Sequence, residues 1–145
     1  MSEPLGDFVL VLHGHLPYVL RHGTWPHGED WLYEAAAETY MPILSVIEEV
    51  HQLGGWPGFT IGLTPVLLEQ LGHDHFKQGF ADYLAERVER ARCDRREFER
   101  HKDAHHDHLV YLANWWIDAY TKLGERFEEL GRDIPAAYAK GARNG

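Results

Sequence analysis

Residues 8–12 (FVLVL) form an uninterrupted apolar run, and Phe59–Leu63 (FTIGL) is a second short run rich in β-branched and aromatic residues. Runs this short are too brief for helices and predict strands buried on both faces. Gly14, Pro17, Gly23, Pro26 and Gly28 break any regular element between residues 13 and 30, which predicts a loop of unusual length. Asp30 is placed to cap a helix beginning near Trp31. An apolar stripe through Tyr40, Ile43, Leu44, Ile47 and Val50 then continues to Gly54 and Gly55, with Pro42 dividing the region into two helices. Thr64 and Pro65 read as the N-cap and first-turn pair of a helix through Leu71. Strand, helix, strand, helix is the order of an α/β fold with parallel strands.

Beyond Asp74 the spacing changes. Phe76, Phe80, Tyr83, Leu84 and Val88 share one helical face, and Leu109, Leu112, Trp116, Ala119, Leu123, Phe127 and Leu130 share another. Two long amphipathic helices follow from this, the second closed by Gly131, with Asp133 and Pro135 opening a last short helix. The chain is therefore expected to be mostly helical. Two parallel strands leave edges and faces that need cover, so the pattern predicts one part of a larger fold.

Charge narrows the partners. The 145 residues carry a formal charge of −9, and residues 1–72 hold nine acidic side chains against a single base, Arg21. Nucleic-acid binding requires a basic surface that displaces counterions from phosphate, which this half of the chain lacks. One cysteine, Cys93, excludes an internal disulfide framework and fits a reducing cytoplasm. No stretch approaches the roughly 20 apolar residues of a membrane span, and MSEPLGD lacks the basic start of a secretory signal. A cytoplasmic chain with neither nucleic-acid nor membrane partner is expected.

The chemistry concentrates behind the first strand, in His13-Gly14-His15-Leu16-Pro17-Tyr18. Ligands of α/β sheets and barrels bind at the carboxyl ends of strands, where both imidazoles fall, and they are read as separate candidates rather than a pair. The alternative is a histidine that only satisfies loop carbonyls; spacing alone does not choose. Trp25, Trp31 and Tyr33 supply rings of the kind that pack on the apolar faces of sugars. Trp31 and Tyr33 are assigned to the scaffold and Trp25 is kept open. His101, His105, His106 and His108 have helical spacing but sit among charges near a helix junction, so they are read as a solvated face, with no metal site and no cofactor. The alternating arginines and carboxylates of residues 86–100 read as salt-bridged helix surface. Glu29, Asp30, Glu34, Glu38 and Glu69 are acid–base candidates by type, each explained by capping or exposure.

The stretch VLVLHGHLPYVLRHGTWPHGEDWLYEAAAETYMPIL (9–44), with FTIGLTPVLLEQL (59–71) and, more loosely, KQGFADYLAERVERA (77–91), closely resembles the N-terminus of glycoside hydrolase family 57, within it the 1,4-α-glucan branching enzymes. HGHLPYV with its WPHGEDWLYEA continuation is the specific part. The resemblance implies an incomplete (β/α)7 barrel with helical insertions. Residues 1–72 would then be its first two β/α units, and residues 73–145 a helical segment inserted in or packed on the barrel, the chain stopping before the third strand. It also implies a retaining transfer, in which a glutamate attacks the anomeric carbon, an aspartate protonates the leaving oxygen, and a glucan 6-hydroxyl takes the glycosyl group. Two carboxylates about 5 to 5.5 Å apart are needed for that chemistry. The family draws both from later strands, so no catalytic carboxylate is assigned within this chain and the chain alone is expected to be inactive. The role carried over is that of His15, lining the subsite of the transferred sugar, with His13 and Trp25 near the glucan. The implied partner is an α-glucan such as amylose or glycogen, and bare strand edges are expected to drive self-association of the isolated chain. An α-amylase or 4-α-glucanotransferase of the family is the alternative within the class; a non-catalytic carbohydrate-binding or helical interaction protein is the alternative outside it.

Overall fold

A computed structural model describes residues 6–24, 26–55, 58–101 and 103–144. Helices dominate, around a single parallel pair of strands, β1 (Leu10–Gly14) and β2 (Phe59–Leu63), with Leu10 opposite Phe59 and Gly14 opposite Leu63. The first strand thus starts two residues later than the apolar run suggests. Pairing needs a partner, and β2 begins at Phe59, so Phe8 and Val9 precede the ladder and stand 88% and 75% exposed. Burial on both faces is also corrected: Leu10 and Val11 are exposed, Leu12 is half-buried, and only Gly14 of β1 is enclosed. The helices among the described residues leave the outer side of this pair uncovered.

After β1 the chain forms the loop of residues 15–28 and enters α1 (Glu29–Ala35). The helix starts two residues ahead of Trp31, with Gly28 at its N-cap and Asp30 in its first turn. Gly28 is required there, because a Cβ would meet the Gly23 carbonyl at 2.1 Å. The carbonyls of Gly23 and Thr24 accept from the Glu29 and Asp30 amides at 2.9 and 3.1 Å, supplying the cap through main chain. Pro42 does divide the helical region, by widening it rather than breaking it. A π-helical turn, Ala36–Tyr40, links α1 to α2 (Met41–Gln52), and the Met41 amide reaches back to the Ala36 carbonyl. Proline has no N–H to give the carbonyl four residues earlier and crowds the preceding turn, so the backbone loosens just ahead of it.

α3 (Pro65–Gly72) starts at Pro65 as expected, but the Thr64 hydroxyl makes no capping bond. α4 (Asp74–Phe98) is capped by His73, whose Nδ1 accepts from the His75 amide at 3.0 Å. α5 (Ala104–Glu129) is capped by Asp103, which accepts from the His105 and His106 amides, both at 3.0 Å. Gly131 and Arg132, both with left-handed φ, turn the chain into α6 (Ile134–Asn144), where Asp133 accepts from the Ala136 amide at 2.9 Å.

One core joins these elements. Phe76 and Phe80 of α4 stack on each other, and Phe127 of α5 meets the Phe80 ring edge-to-face at 4.8 Å. Tyr33 of α1 packs beside both α4 rings, and Leu67 and Leu71 of α3 and Ile134 of α6 complete the enclosure. The Tyr138 hydroxyl of α6 donates to the Tyr40 carbonyl at 2.7 Å, tying the last helix to the π-helical turn. The loop after β1 is part of this core through Leu16, Val19 and Leu20. Farther along the α4–α5 pair burial fades: between residues 85 and 119 only Ala91 and Ala113 are buried among the described residues. Leu112 and Trp116, expected on the packed stripe, are exposed, as are Tyr111 and Trp115. The salt-bridged surface is present, with Arg90–Glu86 at 2.5 Å, Arg96–Glu89 at 3.0 Å and Arg100–Glu97 at 2.6 Å. No helix among the described residues is long and apolar enough to cross a membrane.

Candidate functional site

His13 and His15 stand where β1 ends. Their rings are 6.2 Å apart with planes 15° from parallel, so the two imidazoles share a face. Reading them as unrelated positions is corrected by the strand itself, since residues two apart along an extended backbone point the same way. Both side chains are exposed. Gly62 is the register partner of His13, and a Cβ there would lie 3.7 Å from the His13 Nδ1, so glycine leaves that ring free of a neighbour across the ladder. Between the histidines Gly14 is under constraint of another kind. An added Cβ would fall 2.7 Å from Leu63 and 3.2 Å from Leu67 and Tyr40, so the strand end approaches α3 and the π-helical turn too closely for any side chain. The Gly14 carbonyl accepts from the Thr64 amide at 3.1 Å, extending the contact between the two strand segments one residue past β2. The Thr64 Oγ is buried there without a hydrogen-bond partner among the described residues.

The loop that follows is irregular yet fastened. Gln70 of α3, fully buried, accepts from the Val19 amide at 2.7 Å through Oε1 and donates from Nε2 to the Pro17 carbonyl at 3.1 Å. Glu29 fastens the far side, accepting from the Arg21 amide at 2.5 Å, the Tyr33 hydroxyl at 3.1 Å and the His75 Nε2 at 2.8 Å. Arg21 adopts a left-handed backbone there, a conformation the hydrogen bond from its amide helps to hold. Burial alone would push the Glu29 carboxyl up, but the bonds from Arg21, His75 and Tyr33 outweigh it and hold the carboxyl below the ordinary carboxylate value. Burial, and then the Glu29 charge, push the Tyr33 phenol up. Room for that phenol comes from Gly79 of α4, where a Cβ would stand 2.1 Å from the Tyr33 hydroxyl.

Capping and exposure therefore do not account for Glu29, which joins the loop, α1 and α4. Neither Gln70 nor His75 stands out in the sequence as functional. Gln70 had one available signal, a polar residue inside the buried stripe formed with Leu67 and Leu71; His75 had none short of the contact itself. Trp31 is partly exposed and sits 5.6 Å from the His27 ring, outside the core, which departs from a purely scaffolding role. Tyr33 is scaffold, as expected. Trp25 lies outside the described residues. The His101–His108 cluster is occupied with helix capping and ring contacts: His106 bonds Asp103 at 2.7 Å and stacks on His101 at 4.2 Å.

The sequence profile of Glycosyl hydrolase family 57 matches residues 9–145, the whole of the fold just described. The chain belongs to this family. It is 36% identical over 115 residues to a 1,4-alpha-glucan branching enzyme of Thermococcus kodakarensis, a match covering 79% of this chain and 16% of that protein. A probable 1,4-alpha-glucan branching enzyme of Mycobacterium tuberculosis is 41% identical over 80 residues, 55% of this chain and 15% of its own length. Among solved family structures, the branching enzyme of Pyrococcus horikoshii superposes with a TM-score of 0.84 at 32% identity, over 94% of this chain and 25% of that one. The alpha-amylase AmyC of Thermotoga maritima superposes with a TM-score of 0.76 at 26% identity, again over 94% of this chain and 25% of that one. The chain thus spans a small part of the length of these relatives, and it carries the family 57 α/β arrangement in its two parallel strands and their helices.

Proposed function

We propose that this chain is the N-terminal portion of a family 57 1,4-α-glucan branching enzyme, which moves a segment of α-1,4-linked glucan onto a 6-hydroxyl and so builds the α-1,6 branches of a glycogen-like polymer in the cytoplasm. The observation that carries the reading is the pair of exposed imidazoles at the carboxyl end of β1, on a scaffold that superposes on a family branching enzyme at a TM-score of 0.84. In this reading residues 1–72 are the first two β/α units of an incomplete (β/α)7 barrel. Residues 73–145 are a helical segment packed against it, and the strands that follow in the family complete the sheet.

Within that barrel His15 lines the subsite of the transferred sugar. Its imidazole offers a directional polar group to a sugar hydroxyl, and His13 beside it offers a second. The glutamate nucleophile and the aspartate acid come from later strands, so the chain supplies substrate positioning and no bond-breaking group. Trp25 is proposed as an aromatic contact to the glucan. The exposed apolar side of β1 makes the isolated chain self-associate.

The test uses the full-length enzyme with amylose. New α-1,6 anomeric signals by proton NMR are expected, and His15→Ala lowers kcat/KM at least tenfold, about 1.4 kcal/mol of transition-state binding. An unchanged kcat/KM overturns the role of His15. Release of reducing ends without α-1,6 linkages favours the α-amylase reading, which the AmyC likeness supports.

A further inference from the structure

We propose that Gln70 is a positioning residue for the histidine pair: its buried carboxamide holds the main chain of residues 17–19 and so fixes the direction in which the backbone leaves His15. The observations are geometric. Gln70 is a fully buried polar residue of the core, set among the apolar residues of α3, and it is 51 and 53 residues away in sequence from the two backbone groups it meets. A carboxamide is the side chain that presents one acceptor and one donor side by side, and the loop presents the complementary set, the Val19 N–H and the Pro17 carbonyl. Leucine or methionine would fill the same volume and leave the Val19 amide unpaired in the core, with the less deeply buried Pro17 carbonyl losing its donor as well, which is costly enough to make the loop reorganise. Glutamate would keep the acceptor toward Val19.

The position of the clamp is what turns packing into function. His15 lies two residues before Pro17, and its ring stands beyond the end of the ladder, where no strand pairing constrains it. On the other side the backbone is tied at Gly14 through the Thr64 amide. α3 therefore grips the chain on both flanks of His15, at its N-terminal entry through Thr64 and along its buried face through Gln70. Leu16, Val19 and Leu20 insert into the core on the same stretch, so the loop is anchored by apolar side chains and aimed by the carboxamide. The link from this aim to catalysis rests on the reading of His15 as a sugar-contacting residue; the clamp itself does not.

Two measurements separate those parts. In the selectively isotope-labelled full-length enzyme, a scalar coupling across the hydrogen bond from the Val19 amide nitrogen to the Gln70 side-chain carbonyl is expected, with slow exchange of the Val19 amide. Gln70→Leu is expected to speed that exchange at least tenfold and shift the His15 imidazole resonances, with the Phe80 and Phe127 ring signals unmoved, whereas Gln70→Glu keeps the Val19 amide protected. A missing coupling, or equal loss of protection throughout α4 in Gln70→Leu, overturns the clamp; the coupling is read on the unaltered chain and so does not depend on a variant folding. In the full-length enzyme, Gln70→Leu is expected to lower kcat for amylose about tenfold with KM within threefold. An unchanged kcat in an enzyme that does branch amylose overturns the positioning role. An unaltered enzyme that makes no α-1,6 linkages overturns the branching assignment, and the coupling and exchange results then decide the clamp alone.

Discussion

The loop of residues 15–28 and the distal part of the α4–α5 pair reverse the usual association between regular structure and firm packing. Among its described residues the loop contains no helix or strand, yet Leu16, Val19 and Leu20 are buried and its backbone is bonded to Gln70 on one side and Glu29 on the other. The parts of α4 and α5 between residues 85 and 119 are regular helix, yet bury only two alanines among the described residues and hold their surface with exposed ion pairs. Local hydrogen bonding makes a helix regular; long-range apolar contact and buried polar pairing make a segment hold its place. His13 ends β1 just before the fastened loop and His15 opens it, so both imidazoles sit on the firmly held side of this comparison.

The contrast can be broken at its shared root. Phe80→Ala removes a fully buried ring that touches Phe76, Phe127 and Tyr33, and a loss of about 3 to 5 kcal/mol in urea unfolding is expected, with loop and helical pair failing together. A local effect confined to the helical pair would mean the two regions are independent. Gly79→Ala is the sharper change. Its methyl displaces the Tyr33 hydroxyl and severs its bond to Glu29, with an expected cost of about 1 to 3 kcal/mol and faster exchange of the Arg21 amide.

Acid reaches the loop without any substitution. Because the folded Glu29 carboxyl is held below its ordinary value, its contribution is complete above the ordinary carboxylate range and is lost as pH falls through the depressed value. A pH titration of the Arg21 amide shift should follow that protonation, with Glu29→Gln removing the step. The smallest effect is expected at the distal helices. Arg96→Ala breaks an exposed pair with Glu89 and should shift the urea midpoint by no more than the scatter between repeated measurements. A loss several times larger would show that the distal helices are held by more than exposed charge.

Much of this architecture is legible in the amino-acid order. The 3.6-residue spacing locates α2 to α5, Asp133 and Gly131 mark the turn into α6, and Thr64-Pro65 marks the start of α3, because these features depend on neighbours within one or two helical turns. The HGHLPY segment was found by its place after an apolar run. The start of β1 is not legible because ladder ends depend on the partner strand, and Leu112 and Trp116 share the α5 stripe by spacing yet stand exposed, because periodicity defines a face without saying what lies opposite.

Tertiary structure decided which polar groups hold the site. Gln70 meets Val19 and Pro17 across more than fifty residues, and Glu29 meets His75 across 46. No local rule connects such pairs: the sequence by itself determined the helices, the parallel strand order and the two histidines at a strand end. Which carboxamide and which carboxylate fasten the loop behind those histidines follows only once α3 and α4 have packed against it, since a buried hydrogen bond is specified by the three-dimensional position of both partners.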